Sequence, residues 1–194
     1  MRKVILQIHV SLDGFTAGPN GEMDWLVPHV ITDEAYQYEY DLYSTVDTVL
    51  LGRANYEGFF SFWPAVATNP ASRKNDIDFS KWLNDIPKIV FSRTLEKAEW
   101  KNSRLIKENI AEEISKLKQQ PGRNMLIMNS TSIAQAFMQL GLIDEYRINV
   151  FPVVLGSGLP LFKEITDRIN LKLVKNNTFK TGVVSLVYQP EENA

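Results

Sequence analysis

The segment Thr48-Val49-Leu50-Leu51-Gly52-Arg53 decides the fold of this 194-residue chain. Its aliphatic residues predict a buried strand that ends at Gly52-Arg53, and a short helix is predicted from Ala54. The same arrangement occurs twice more, where Lys88–Phe91 stops at Ser92-Arg93 and Met125–Met128 stops at Asn129-Ser130-Thr131. Strands that each lead into a helix or a turn predict an α/β fold with a largely parallel sheet.

The segments around these strands extend the same pattern. Val4–Val10 predicts another strand. Three further helices are predicted, from Thr32 to about Ser44, from Asn109 to about Gln120 and from Thr131 to about Leu140. Thr32 can cap the first of them, and Asn109 with Glu112 predicts a capping box for the second. Residues 64–80 are polar and irregular, so we expect a surface excursion there with a short helix near Trp82.

The C-terminal part of the chain has a different character. Tyr146–Phe151 alternates between apolar and polar residues, as a half-exposed strand does, and Leu171–Val174 and Val183–Tyr188 are further strand candidates. No convincing helix lies between them, so we expect these strands to be antiparallel. The sequence thus predicts one domain over residues 1–190: a mixed sheet, mostly parallel with antiparallel C-terminal strands, flanked by helices. An exposed edge among these strands would suit a homodimer.

Composition narrows the class of protein. The chain carries 21 Lys and Arg against 23 Asp and Glu, a formal net charge of −2, without the basic block that marks a nucleic-acid-binding protein. It has no cysteine, which excludes disulfides, thiolate zinc sites and cysteine nucleophiles. No apolar run approaches the roughly 20 residues that span a bilayer. We expect a soluble, cytoplasmic protein without a membrane or nucleic-acid partner.

The carboxyl ends of the predicted strands are the expected place for a ligand. Arg53 and Arg93 follow two of the strands there, and a guanidinium suits a phosphate group. An equally good interpretation is that both are solvated surface arginines. The chain lacks G-x-G-x-x-G and the P-loop pattern. Its two histidines, His9 and His29, show no metal-ligand spacing, so no metal site is predicted.

Several motifs resemble those of the dihydrofolate reductase-like family. They are Ser11-Leu12-Asp13-Gly14-Phe15, Asp24-Trp25 and Leu51-Gly52-Arg53-x-x-Tyr56-Glu57. A narrower branch, the C-terminal reductase domain of bifunctional riboflavin-biosynthesis proteins, is similar at Ile143–Tyr146, Phe151–Gly158 and Leu161-Phe162. The resemblance spans nearly the whole chain. It implies a dihydrofolate reductase-like fold, an NADPH cofactor and a small heterocyclic substrate, as in 5-amino-6-(5-phosphoribosylamino)uracil reductase.

The resemblance also implies roles for individual residues. The dinucleotide would be bound by Gly52, Arg53, Ala54, Asn55, Ser92, Arg93, Asn129, Ser130, Thr131, Ser132 and Ile133. Among these, Arg53 and Arg93 would approach the adenosine 2′-phosphate, which favours NADPH over NADH. The substrate side would be formed by Asp13, Trp25, Pro152, Gly156 and Gly158. No catalytic residue is assigned.

Departures from the family pattern leave other functions open. Asn129-Ser130 stands where a Gly-Gly or Gly-Ser pair is usual, although Asn tolerates positive φ. The substrate-binding carboxylate of dihydrofolate reductases would fall near Val30, and Asp33 and Glu34 are interpreted as helix-start residues. Folate or pterin reduction and a ligand-binding protein without catalysis are therefore kept as alternatives. The aromatic run Phe59–Trp63 is interpreted as core or subunit contact in preference to a wall that stacks on a heterocycle.

Overall fold

A computed structural model describes residues 1–30 and 32–191. The strands in this part of the chain are β1 (Val4–Ser11), β2 (Phe15–Ala17), β3 (Val46–Gly52), β4 (Lys88–Phe91), β5 (Ser103–Ile106), β6 (Asn124–Met128), β7 (Glu145–Phe151), β8 (Leu159–Pro160), β9 (Leu171–Thr178) and β10 (Val184–Pro190). The α-helices are α1 (Val27–Val30), α2 (Asp33–Tyr43), α3 (Arg53–Val66), α4 (Lys74–Asp85), α5 (Ile110–Gln119) and α6 (Thr131–Gln139). A 3₁₀ helix, Asp24–Leu26, precedes α1.

Eight of these strands form one sheet in the order β5-β4-β3-β6-β1-β7-β10-β9. Neighbours from β5 to β7 are parallel, whereas β10 pairs antiparallel with both β7 and β9. The predicted mixed sheet with antiparallel C-terminal strands is therefore confirmed. β2 and β8, which were not predicted, pair with each other as a separate ribbon.

The alternating pattern of Tyr146–Phe151 does not mark an edge strand. β7 lies inside the sheet, where Ile148 pairs with Ile8 of β1 on one side and with Leu186 of β10 on the other. The edge is formed by β9 instead, and most of its side chains are exposed. Any pairing of two copies through a sheet edge on this side would therefore use β9.

Alternation of side chains along the parallel strands builds a core on each face of the sheet. Leu6 of β1 and Leu50 of β3 join the core beneath α5 and α6. Ile5 and Leu51, one position away, join the core beneath α2, α3 and α4. Burying one such side chain contributes roughly 1.5–3 kcal/mol, so helices on both faces hold the strand ends in fixed positions.

The segment between β3 and β4 is more helical than predicted. α3 is not short but 14 residues long, although it contains Pro64, and α4 begins inside the stretch expected to be irregular. Aromatic contacts explain the difference. The rings of Trp63 and Phe79 lie 4.6 Å apart between centroids, and Trp82 stacks on Tyr43 of α2 at 4.5 Å. Burial of this aromatic surface outweighs the polar composition that suggested a loop.

Lys88 is buried where β4 meets the end of α4. Its Nζ donates hydrogen bonds to the carbonyls of Leu83, Asn84 and Ile86 at 2.8, 3.2 and 2.7 Å. It also lies 4.5 Å from the ring centroid of Trp100. The ammonium group thereby supplies donors to carbonyls that the helix end leaves without partners.

Local details at other helix ends test the predicted caps. Thr32 caps α2 as predicted, and its Oγ1 accepts a hydrogen bond from the Ala35 amide at 3.1 Å. The capping box at α5 is wrong, because Asn109 has a φ of 57° and makes no side-chain cap. β5 was missed, since Ser103 and Arg104 gave it a polar character. Within the described ranges, no helix has the length and apolar content needed to traverse a membrane.

Candidate functional site

The parallel strands end along one edge of the sheet, and the chain turns in opposite directions on either side of β1. β3, β4 and β5 follow one another outward on one side, β6 fills the gap beside β1, and β7 lies on the other side. In open α/β sheets such a change of direction leaves a crevice at the carboxyl ends of the strands. Here the crevice lies between Gly52 at the end of β3, Asn129 after β6 and the loop after β1.

A cavity of about 350 Å³ opens at this crevice. The ends of β1 and β6 and parts of α2, α3 and α4 line it, mostly through the aromatic residues Tyr36, Tyr40, Tyr43, Phe59, Trp63 and Phe79. This volume lies in the range of small-molecule sites, roughly 300–1,000 Å³. A larger depression of about 580 Å³ around Asp47 lies at the opposite, amino-terminal edge of the sheet. We regard the aromatic cavity as the functional one, because it lies at the crevice and holds ionisable groups.

Glu39 brings a carboxyl group into the aromatic cavity. It lies on α2, four residues after Ala35 and four before Tyr43, which also line the cavity. Its oxygens accept hydrogen bonds from Gln7 Nε2 at 2.6 Å and from Asn149 Nδ2 at 3.3 Å. Burial raises the pKa of Glu39 to about 7, because the loss of hydration outweighs these hydrogen bonds. The group can therefore give up or take a proton near neutral pH.

His9 is another ionisable residue of the cavity, which Arg73 and Asp76 also line. It lies on β1 and borders both the aromatic cavity and a smaller one beside it. Its Nδ1 is 3.2 Å from Asn149 Nδ2, and its ring packs edge-on against Phe151 with centroids 5.2 Å apart. Burial lowers the pKa of His9 to about 4, so the ring is neutral at physiological pH. Two neighbouring groups whose pKa values are displaced in opposite directions are typical of active sites.

Gly52 and Ser130 join two strand ends at the rim of the crevice. The Gly52 N–H donates to Ser130 Oγ at 2.9 Å, and a Cβ on Gly52 would lie only 2.7 Å from Ser132 Oγ. Glycine therefore avoids a contact that would force the exposed Ser132 side chain to shift. Ser130 does not cap α6 with its side chain. The N–H groups in the first turn of α6 are thus left for an anionic ligand.

Asn129 stands where the family pattern has glycine. Its φ is 47°, which is in the left-handed region that Asn tolerates. Its Oδ1 accepts a hydrogen bond from the His9 N–H at 3.0 Å, which ties the end of β6 to β1. Asn129 also lines the aromatic cavity. Asn129 therefore keeps the backbone conformation expected of glycine and adds a side-chain hydrogen bond at the crevice.

Arg53 lies at the start of α3 beside an open groove of about 540 Å³. Tyr56 and Phe60 of α3 and the loop of residues 94–99 border this groove. Arg53 Nε is 3.9 Å from a carboxylate oxygen of Glu57, and both side chains are more than half exposed. Such an exposed pair contributes at most about 1 kcal/mol, so Arg53 can exchange this partner for a phosphate.

The other residues with predicted cofactor roles lie around the same edge of the sheet. Ser92 Oγ accepts hydrogen bonds from two N–H groups of the turn after β4, and Arg93 is exposed beside it. Asn55 Nδ2 donates to a carbonyl at the end of β6, and Thr131 Oγ1 bonds to another threonine side chain. Ala54 and Ser132 are exposed, and Ile133 is buried in the core.

The predicted substrate residues build the loops above the crevice. Asp13 accepts hydrogen bonds from Ser11 Oγ at 2.6 Å and from the Gly156 N–H at 2.7 Å. These bonds lower the pKa of Asp13 to about 2. Gly158 lies close against Ala17, because a Cβ added at Gly158 would be only 2.1 Å from the Ala17 carbonyl oxygen. Asp13 and the two glycines thus hold the loops after β1 and β7 together.

Trp25 and Pro152 lie farther from the aromatic cavity. The Trp25 ring packs edge-on against Phe151 at 5.3 Å, in a small cluster with Leu26. Pro152 lies against Gly182 in the turn before β10. Neither residue is among those lining the aromatic cavity. A stacking role for Trp25 remains a prediction.

The polar groups of the cavity are mostly residues that sequence reasoning missed. Of the predicted site residues, Asn129 lines the cavity and Arg53 lines the groove. Gln7 and His9 interrupt an apolar strand at alternate positions, so both point to the same face of β1. Glu39 lies on the helix face of Ala35 and Tyr43, whereas Asp33 and Glu34 are near the helix start. The sequence signal that could have identified Glu39 is a carboxylate on the face of the helix that packs against the protein.

The sheet order, the crevice and the acid-containing cavity define a dihydrofolate reductase-like α/β protein. Residues 2–185 match the RibD C-terminal domain, and the chain belongs to that family. Two Bacillus subtilis (strain 168) proteins of uncharacterised function are related to it. YyaP is 37% identical over 187 residues, which cover 96% of this chain and 94% of YyaP. YwjB is 34% identical over 182 residues, which cover 94% and 95% of the two chains.

Solved structures share the fold at low sequence identity. A Shewanella sp. PV-4 protein ascribed to riboflavin biosynthesis has a TM-score of 0.76 and 23% identity, with 99% of this chain and 100% of that chain covered. The Thermotoga maritima deaminase and 5-amino-6-(5-phosphoribosylamino)uracil reductase has a TM-score of 0.65 and 16% identity. The matched region covers 97% of this chain and 56% of that chain. Enterococcus faecalis dihydrofolate reductase, complexed with NADP(H), has a TM-score of 0.61 and 14% identity. The matched region covers 98% of this chain and 97% of that chain.

Proposed function

We propose that this protein is an NADPH-dependent oxidoreductase that reduces a small planar nitrogen heterocycle. The first candidate substrate is 5-amino-6-(5-phosphoribosylamino)uracil, because the family includes the reductase domain that acts on it. One observation carries the proposal: the carboxyl group of Glu39 lies in an aromatic cavity that opens to the crevice beside Gly52 and the uncapped start of α6.

The residues at the crevice fit a dinucleotide. The first-turn N–H groups of α6 would hold its pyrophosphate, since a helix start carries partial positive charge and free donors. Gly52 keeps the backbone accessible there, because a side chain at this position would collide with Ser132. Arg53 and Arg93 would neutralise the adenosine phosphate. The bound cofactor supplies a hydride to the substrate.

The cavity residues would handle the substrate and a proton. Aromatic walls from α2, α3 and α4 would hold a flat ring and exclude water from it. Glu39 would bind a ring N–H as a carboxylate, or donate a proton to a ring nitrogen as an acid, since its pKa of about 7 makes both forms available near neutral pH. Gln7 and Asn149 hold its oxygens in place.

Titration with NADPH and NADH tests the cofactor, with tryptophan fluorescence and energy transfer to the nicotinamide as readouts. We expect NADPH to bind more tightly than NADH, and Arg53→Ala to weaken NADPH binding by about tenfold, since a charged hydrogen bond contributes about 1.5–3 kcal/mol. Arg168→Ala is the matched control, because Arg168 is exposed and lies outside both the cavity and the groove. No binding of either dinucleotide up to millimolar concentration would refute the proposal.

A turnover assay tests the substrate. Purified protein, NADPH and 5-amino-6-(5-phosphoribosylamino)uracil are incubated, and loss of nicotinamide absorbance is followed. An unreduced substrate, under conditions where a known reductase works, would eliminate this candidate. Dinucleotide binding without reductase activity across a broad panel of heterocycles would favour the alternative of a ligand-binding protein that has lost catalysis.

Pterin or folate reduction is the second candidate, and Glu39 favours it. The spacing of the sequence motif placed no carboxylate near Val30, yet the folded chain brings Glu39 into the same cavity that Val30 lines. Dihydropterin reduction needs an acidic group near the ring. We expect NADPH oxidation with dihydrofolate to be inhibited by methotrexate if this candidate is correct. Absence of such oxidation would exclude it.

A further inference from the structure

Four polar side chains, two of them buried and two partly exposed, form a cluster at one end of the aromatic cavity. They are Gln7 and His9 of β1, Glu39 of α2 and Asn149 of β7, called here the β1–β7 cluster. Asn149 is 3% exposed, and its Nδ2 lies 3.2 Å from His9 Nδ1 and 3.3 Å from Glu39 Oε1. One amide group therefore contacts both His9 and Glu39.

The position of Asn149 determines which nitrogen of His9 carries the proton. When Glu39 is ionised, as at pH 8, the opposite amide orientation would place the Asn149 oxygen against a carboxylate oxygen, which is repulsive. Nδ2 therefore faces both partners, and it donates to His9 Nδ1. An accepting Nδ1 has no proton, so a neutral imidazole carries its proton on Nε2. Burial keeps the ring neutral, because it lowers the pKa of His9 to about 4.

The Nε2–H group of His9 has no acceptor in the described chain, residues 1–30 and 32–191. The ring hydrogen-bonds to Asn149 through Nδ1, and the imidazole borders both the aromatic cavity and the smaller cavity beside it. His9 is partly exposed, so its Nε2–H is accessible to a molecule in the cavity. In addition, Gln7 Oε1 and Asn149 Oδ1 are buried without partners. Buried polar groups in proteins are nearly always paired, so these two oxygens give the cluster hydrogen-bonding capacity for a bound polar molecule.

We infer that His9 is a ligand-orienting residue whose Nε2–H donates a hydrogen bond to a carbonyl oxygen or ring nitrogen of the planar substrate, and that Asn149 is the positioning residue that holds this proton on Nε2. The inference rests on the proposed function, because it takes the aromatic cavity as the substrate site. Glu39 and His9 would then contact adjacent atoms of one ring edge. This arrangement selects heterocycles that present an acceptor beside the group bound by Glu39.

Nitrogen NMR of the histidine rings tests the tautomer directly. In protein labelled with ¹⁵N-histidine at pH 8, we expect His9 to show a protonated Nε2 and an unprotonated Nδ1. Loss of the signals in His9→Gln assigns them and separates them from those of His29. In Asn149→Leu, which removes the donor, we expect a mixture of both tautomers. A proton on Nδ1 in the wild-type protein would overturn the inference.

Binding of lumazine, a fluorescent planar bicyclic heterocycle, tests the contact itself. We expect His9→Phe to weaken lumazine binding by about tenfold, the effect of one hydrogen bond. His9→Gln, whose amide nitrogen can donate from a similar position, should stay within about threefold of the wild type. His29→Gln is the matched control, because His29 does not line the aromatic cavity. Equal binding by His9→Phe and wild type, or no binding by the wild type, would overturn the inference.

NADPH titrations on the same samples separate the two proposals. If lumazine binding depends on His9 while NADPH does not bind, the reductase proposal fails and the role of His9 stands. If NADPH binds and His9→Phe leaves lumazine binding unchanged, the role of His9 alone fails. Normal NADPH binding by His9→Phe also shows that this variant has folded.

Discussion

Replacing Glu39 with Gln should change the pH dependence of folding in a defined direction. The pKa of Glu39 is raised from 4.5 to about 7 in the folded protein. Between these values the folded chain holds a proton that the unfolded chain has released, so stability falls as the pH rises. The interval, 7 − 4.5 = 2.5 pH units, corresponds to a loss on the order of 3 kcal/mol.

His9 acts in the opposite direction over an overlapping interval. Its pKa is lowered from 6.5 to about 4, so between these values the unfolded chain holds a proton that the folded chain lacks. Stability therefore rises with pH, again by on the order of 3 kcal/mol over 6.5 − 4 = 2.5 pH units. In the wild-type protein the two contributions largely cancel. Glu39→Gln removes one of them, so the stability of this variant relative to the wild type should grow by about 3 kcal/mol from pH 4.5 to pH 7.

Urea unfolding followed by tryptophan fluorescence, at half-unit steps from pH 4.5 to pH 8, measures this difference. His9→Gln should show the reverse trend, since it leaves the contribution of Glu39 alone. Glu34→Gln is the matched control, because Glu34 is an exposed glutamate on the same helix. If the difference between Glu39→Gln and the wild type stays within about 0.5 kcal/mol across the range, a typical surface effect, then Glu39 is not a buried, proton-binding group.

Three further changes have expected outcomes. Gly52→Ala should weaken NADPH binding about tenfold, since its Cβ would lie 2.7 Å from Ser132 Oγ; fluorescence titration measures this, and Gly58→Ala, with open space at its Cβ, should bind normally. Lys88→Met should lower the free energy of unfolding by about 3 kcal/mol, because three carbonyls lose their donor; a loss below about 1 kcal/mol in urea unfolding would contradict this role. The exposed edge strand β9 should pair with a second copy, so sedimentation should show a dimer. Leu173→Lys in β9 should dissociate this dimer. Leu140→Lys, which also replaces an exposed leucine, should leave it intact.

Much of the fold was predictable because burial leaves a clear mark on local sequence. Val4–Val10, Lys88–Phe91 and Met125–Met128 are rich in apolar residues, and each lies in a strand of the sheet. Prediction was wrong where tertiary contacts decide the structure. α4 is polar over much of its length, and it is stable because Phe79 and Trp82 pack against aromatic rings of other helices. Contacts between segments far apart in the chain have no signal in a local window.

The candidate site was predictable only in part, for a related reason. The motifs pointed to the strand ends that border the crevice, because Gly52 allows a close approach of the chain and Asn129 adopts a positive φ. Glu39 and Asn149 are 110 residues apart, and no local pattern relates them. The predicted cofactor and substrate contacts of the motif residues stay predictions, while the buried polar groups emerge from the packing of β1, α2 and β7.

Different elements of the chain form the aromatic wall and the polar end of the cavity. Phe59, Trp63 and Phe79 of α3 and α4 form one part of its aromatic wall, whereas the polar end comes from β1, α2 and β7. Evolution can therefore alter the size and shape of the accepted ring by exchanging residues in α3 and α4, without touching the groups that hold its polar edge. Members of one lineage could in this way diverge toward different metabolites while keeping a common chemistry.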